Sequence, residues 1–479
     1  MKRINVWNTY DLELQKKCDD FAASYMNFLD HGKTERECVD QIVRIAEENG
    51  FRELYDLIEK GERLQPGDGV YFIWMNKSAV LFRIGTKPMA DGLNILGAHI
   101  DSPRLDVKQN PLYEDTGLAY FDTHYYGGIK KYHYVARPLA IHGVVVKKSG
   151  ETVELAIGED EDDPVFFVSD ILIHLAQDQM KKTASEAVEG ENLDLLIGSC
   201  PVRITADSKA GSEGKKPSEG DDVRKAVLDL MLEQYGIEEA DFESAELEIV
   251  PAGKAREAGF DRSMVLAYGQ DDRVCAYPSL AAMMDASAPE RTTCCLLVDK
   301  EEIGSVGATG MQSHFFENAL AEVMNLCGCY SELVLRRALA NSCMLSSDVS
   351  AAYDPLYASC FEKKNAAMMG EGIVFNKFTG SRGKSGSNDS NAEYIAHLRS
   401  IFDEADIRTQ TAELGKVDVG GGGTIAYILA LYGMNVIDSG VAVLNMHAPY
   451  EAASKADIYE AYRAYRVFLE HANFQNMQV

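Results

Sequence analysis

No stretch of the 479-residue chain runs for about 18 apolar residues without a charge, which argues against a transmembrane helix. The amino-terminal MKRINVWNTYDLELQKKCDDF has no apolar h-region and does not read as a signal peptide. Basic residues are scarce: 47 Lys and Arg stand against 75 Asp and Glu, a formal net charge of −28. Nucleic acid and anionic membrane are therefore poor partners for the bulk surface. The ten cysteines contain no CxxC pair, which argues against thiolate zinc sites and thioredoxin-like chemistry. Cys275, Cys294 and Cys295 sit in apolar surroundings and read as reduced core thiols of a cytoplasmic protein. No internal repeat is present. The glycine run VDVGGGGT (417–424) lacks the Lys-Ser/Thr of a phosphate-binding loop. It reads better as backbone that comes close to a bound ligand, with Gly422 or Gly423 lining the pocket.

The 46% hydrophobic content, with mixed charges, describes a folded chain. Its length calls for more than one core. Residues 10–60 carry apolar positions at spacings of three and four, the helical pattern, with Gly50 as a stop. GVYFIWMNKSAVLFRIG then reads as a hairpin and GLNILGAHIDSP as a buried strand. From about Arg104 to Arg262 the character changes. PLAIHGVVVKKSGETVELAIG suggests antiparallel strands turning at Ser149–Gly150, SDILIHLAQDQM a short helix capped by Ser169 or Asp170, and 206–222 a Gly/Ser/Lys-rich surface loop. Beyond Ser263, short apolar runs alternate with helical segments, the mark of an α/β fold with a largely parallel sheet flanked by helices. The expected division is one domain over 1–104 and 263–479, interrupted by an inserted domain over 105–262.

The chemistry gathers where the apolar runs stop. LNILGAHID ends in His99 and Asp101, MVLAYGQDD in Asp271 and Asp272, CCLLVDKEE in Glu301 and Glu302, CMLSSD in Asp348 and VAVLNMHAP in His447. Taken singly, these are a structural histidine, a surface ion pair and a solvated turn. Five such ends in one sheet would meet in one cleft, because open α/β sheets bind ligands at the carboxyl ends of their strands. Clustered carboxylates raise each other's pKa, and divalent metal relieves them. His nitrogen and carboxylate oxygen suit zinc, with manganese or cobalt as alternatives. His99, Asp271, Glu302, Asp348 and His447 are enough for two ions if one carboxylate bridges. Glu301 would stay unligated as the general base, and Asp101 would orient the imidazole of His99.

The motifs GAHIDSPRLDVK, GQDDRVCAYPSL, VDKEEIGSVGATG, SSDVSAAYDP and LNMHAPYEAASKAD, in this order and spanning most of the chain, resemble the M18 family of metallo-aminopeptidases. The resemblance implies a zinc-peptidase α/β domain interrupted by a smaller β-rich dimerisation domain, and a homo-oligomer, commonly a dodecamer. It implies a co-catalytic zinc pair: His99 and Asp348 on one ion, Glu302 and His447 on the other, Asp271 bridging, and Glu301 as base. Asp272 departs from members that carry Asn there and is given no metal role. The substrates implied are peptides with a free amino terminus. His174, in DILIHLAQ, matches the region whose histidine reaches a neighbouring subunit's active site. Lys377, Arg382 and Lys384 fall where the family binds substrate, and Lys384 is the candidate. A carboxypeptidase or an N-acyl-amino-acid deacylase would use the same ligands on another bond. A non-catalytic assembly or cargo protein would keep the fold without the reaction.

Overall fold

The computed structural model describes residues 4–201, 222–287 and 289–474. By their contacts the residues form two units: Met1–Ser102 with Ala255–Met446 and Tyr450–Val479, and Pro103–Lys254 with His447–Pro449.

The first unit is built on a nine-stranded sheet. Its four central strands, Thr293–Val298, Asn94–His99, Cys343–Ser347 and Asn435–Gly440, run parallel. The hairpin Gly69–Trp74 and Ser78–Arg83 joins one side antiparallel. Ile373–Asn376 joins the other. The run TCCLLV is unbroken because both faces are covered. Cys294, Leu296 and Val298 point to one core, Cys295 and Leu297 to the other. The first core also receives Phe315, Leu320 and Val323 of helix Phe315–Leu326. The second receives Tyr25 and Phe28 of helix Leu12–Asp30 and Ile458, Tyr465 and Phe468 of helix Lys455–His471. Among the helices expected near the amino terminus, Glu35–Glu48 opens on a capping box of Thr34 and Glu37. It stops before Gly50, whose φ of +77° ends the helix.

One expectation needs correction. The five acidic or histidine-bearing ends do not belong to one sheet. Asp271 follows Met264–Ala267 and His447 follows Ala442–Leu444, which lie in a separate five-stranded sheet with Arg256–Ala258, Glu451–Ser454 and Ser350–Ala351. The apolar run NVIDSGVAVLN is two strands, not one, broken after Gly440. A Cβ at Gly440 would stand 1.9 Å from the Asp348 carbonyl oxygen, so only glycine lets the chain pass there.

The second unit holds a six-stranded antiparallel sheet, including the expected hairpin Leu139–Val146 and Thr152–Ile157. SDILIHLAQDQM does not form the expected helix; it makes turns and the 3₁₀ turn Gln179–Lys181. Ile171, Leu172, Ile173 and Leu175 are exposed, and a short helix with no core to bury its apolar face is not stable. Residues 206–221 of the expected loop lie outside the described residues, and Asp222 opens helix Asp222–Tyr235. No helix among the described residues is long and apolar enough to cross a membrane.

One side chain ties the central sheet to the last helix. Asn94 Nδ2 lies 2.8–3.4 Å from the carbonyl oxygens of Phe468, Leu469 and Ala472, capping the end of Lys455–His471. Replacing Asn94 with Ala should lower unfolding stability by about 1–3 kcal/mol, since buried carbonyls lose their donor; chemical denaturation would measure it.

Candidate metal centre

Strand Asn94–His99 ends at a histidine that is 1% exposed. Its Nδ1–H donates to the Asp101 carbonyl oxygen at 3.0 Å, with Asp101 Oδ1 at 3.2 Å. This leaves Nε2 to act as a ligand, 3.2 Å from Asp271 Oδ1. His99, Asp271 and Asp348 present ligand atoms within 4.8 Å of one another. Asp348 follows strand Cys343–Ser347, and its N–H donates to the Ser439 carbonyl at 3.0 Å.

Asp271 is oriented from its backbone. Its N–H donates to Glu451 Oε2 at 3.0 Å, and its carbonyl accepts from Ser102 Oγ at 2.7 Å. Glu451 is buried and opens strand Glu451–Ser454. Sequence reasoning missed it, although it stands four residues after His447 in one of the motifs.

The pair Glu301 and Glu302 sits in a 3₁₀ turn, Glu301–Ile303, entered through Lys300 at φ +69° and left through Gly304 at φ +96°. Asp101 fixes this turn. Its Oδ1 accepts the Glu301 N–H at 3.1 Å and its Oδ2 the Glu302 N–H at 3.2 Å. The carboxylate expected to orient His99 thus also aims both glutamates. Glu302 and Asp271 present carboxylate oxygens within 4.8 Å of each other. Glu301 Oε2 lies 3.9 Å from His99 Nε2. Behind the turn, buried Asp299 accepts from Thr309 Oγ1 at 2.5 Å, and burial followed by the charges of Glu35 and Asp101 pushes its pKa up to about 6.

Burial, then the charge of Glu301, pushes Asp348 well above the ordinary carboxylate range. Burial disfavours a charged His99, but Asp101 and Asp271 outweigh it and hold the imidazole's pKa well above its usual value. A cluster whose own charges oppose ionisation in this way is one that a shared divalent cation would stabilise. The donor set, imidazole nitrogen with carboxylate oxygen, fits zinc.

His447 belongs by its contacts to the second unit, where its Nδ1 lies 2.8 Å from the Gly128 carbonyl oxygen. The hydrogen bond leaves Nε2 as the nitrogen able to serve as ligand, as in His99. Its φ of +62° is left-handed, as is that of Asn445. Of the substrate candidates, His174 is exposed within the turns described above. Lys384 Nζ is 2.8 Å from Asp389 and 3.8 Å from the centre of the Phe378 ring. Lys377 is 3.7 Å from the same aspartate, and Arg382 is exposed. The Gly422 carbonyl accepts from the Gly380 N–H at 2.8 Å.

A family description, "Aminopeptidase I zinc metalloprotease (M18)", matches residues 28–469. The probable M18 family aminopeptidase 1 of Clostridium acetobutylicum is 58% identical over 467 residues, covering 98% of each chain. The crystal structure of aminopeptidase I from the same organism superposes with a TM-score of 0.88 at 55% identity, covering 98% of this chain and 100% of that one. The structure of the Thermotoga maritima M18 aminopeptidase gives 0.90 at 44% identity, covering 98% and 99%. The ligand geometry, the fold and these similarities lead to one conclusion: the chain belongs to the M18 family of zinc metallo-aminopeptidases.

Proposed function

We propose that the protein releases the amino-terminal residue of peptides through a pair of zinc ions and a glutamate base. The observation that carries this reading is that His99, Asp271 and Asp348 converge on one point while Glu301 stands beside them without joining the set. His99 and Asp348 would hold one ion, Glu302 and His447 the other, with Asp271 between them. When bound, the ions supply Lewis acidity, making water a nucleophile near neutral pH and polarising the scissile carbonyl. Glu301 takes a proton from the attacking water and delivers it to the departing amine. Asp101 sets the aim of that glutamate by holding its N–H and that of its neighbour. The substrates are peptides with an unblocked amino terminus.

Gly422 and Lys384 are assigned to the substrate pocket. Lys384 already shares its charge with Asp389, so a preference for acidic residues is not part of the proposal. The second unit serves as a dimerisation domain. Its exposed Ile171, Leu172, Ile173 and Leu175 favour burial against another copy, a contact in which His174 enters a neighbour's site. The protein acts as a cytoplasmic homo-oligomer.

Glu301→Gln should retain both ions and lose about 10²–10⁴-fold in kcat, the share of a general acid–base group. Metal analysis beside steady-state kinetics tests this, and an active variant removes Glu301 from the mechanism. Asp101→Ala should weaken metal affinity by about 10–100-fold by releasing the groups it orients; a competition titration with a zinc chelator would read the change. Aminoacyl anilides should be cleaved and their N-acetylated counterparts refused. The opposite pattern would favour a deacylase.

A further inference from the structure

Asp438 is 1% exposed and lies inside the nine-stranded sheet. It is paired across from Ser346 on one side and Asn376 on the other. A valine or isoleucine would suit such a position, because a buried carboxylate is costly unless its oxygens are satisfied. Its Oδ1 accepts from Thr424 Oγ1 at 2.6 Å, while its Oδ2 has no hydrogen-bond partner among the described residues. Burial pushes its pKa up to about 7, and the charge of Glu301 adds to the effect, so the two acids are within electrostatic reach. The next residue, Ser439, receives the N–H of Asp348.

Thr424 directly follows a strap of four glycines, 420–423. The strap packs backbone against backbone. A Cβ at Gly420 would lie 1.8 Å from the Leu414 carbonyl oxygen, and one at Gly421, with φ of +127°, 2.1 Å from that of Gly380. Gly423 differs: a Cβ there would meet nothing within 4 Å. The strap is therefore clamped at its first two glycines and open at its last.

We propose that Asp438 is a positioning residue for the aminopeptidase reaction: through Thr424 it ties the glycine strap to the sheet beside the strand end that delivers Asp348, and so fixes the wall against which the substrate lies. The proposal rests on the reading that the strap lines the substrate pocket. Asp438 touches no substrate itself, so its effect falls on binding rather than on turnover.

Thr424→Val keeps the shape of the side chain and removes the hydroxyl. It should raise KM for aminoacyl substrates roughly tenfold, the scale of a lost hydrogen bond to a carboxylate, with kcat within about twofold and zinc content unchanged. Thr424→Ser, which keeps the donor, should restore KM. Gly423→Ala puts a methyl group into open space and should raise KM on its own if the strap lines the pocket. A raised KM in Gly423→Ala with wild-type kinetics in Thr424→Val would overturn the role of Asp438 and leave the strap reading standing. Wild-type kinetics in both would remove the strap reading and the proposal with it. A fall in kcat or loss of zinc in Thr424→Val would assign the pair to the metal centre or the general scaffold, and would equally overturn it.

Discussion

Negative charge gathered at the ends of buried strands is the constraint around which this molecule is organised. His99 is within hydrogen-bonding range of Asp101 and Asp271 and close to Glu301, and Asp348 feels the charges of Glu301 and Asp272. In low-dielectric surroundings such acids cannot all ionise without a compensating cation. A fold that keeps them there has been shaped to hold one, and zinc is what the family description supplies.

Backbone groups do much of the aiming. Asp101 takes the two amides of the Glu301–Glu302 turn, Glu451 takes the amide of Asp271, and Ser439 takes the amide of Asp348. Each bond fixes main chain, which has less freedom than a side chain, so ligand directions become a property of the sheet. The left-handed residues Lys300 and Gly304 bracket the glutamate turn, from which Glu302 presents an oxygen within 4.8 Å of one of Asp271 and Glu301 Oε2 lies 3.9 Å from His99 Nε2. Lys300, a non-glycine residue held at φ +69°, carries backbone strain next to the acids whose donor set fits zinc.

In the proposed reading, specificity draws on weaker features. The loop carrying Lys377 and Lys384 folds its ammonium groups onto Asp389, and the glycine strap contributes main chain rather than side chains. A pocket wall made of backbone offers hydrogen bonds and close approach while expressing little preference of charge.

Residue order alone determined the periodic elements and the chemical inventory. The alternating and helical spacings give the hairpin at 69–83, the buried strand run at 293–298 and the helix stop at Gly50, because these depend on neighbours a few residues apart. Polar residues at the ends of apolar runs marked His99, Asp271, Glu301, Glu302, Asp348 and His447. Tertiary structure decided the rest. It placed Asp271 and His447 after strands of a second sheet, since the break at Gly440 answers to a carbonyl 92 positions earlier in the chain, beyond any local pattern. It made Asp101 the holder of two glutamate amides, brought in Glu451 and Asp438, and left DILIHLAQ without a helix, Ile171, Leu172, Ile173 and Leu175 being exposed among the described residues. Local spacing fixes which groups lie on a face or at an end; only packing between distant segments fixes which of them meet.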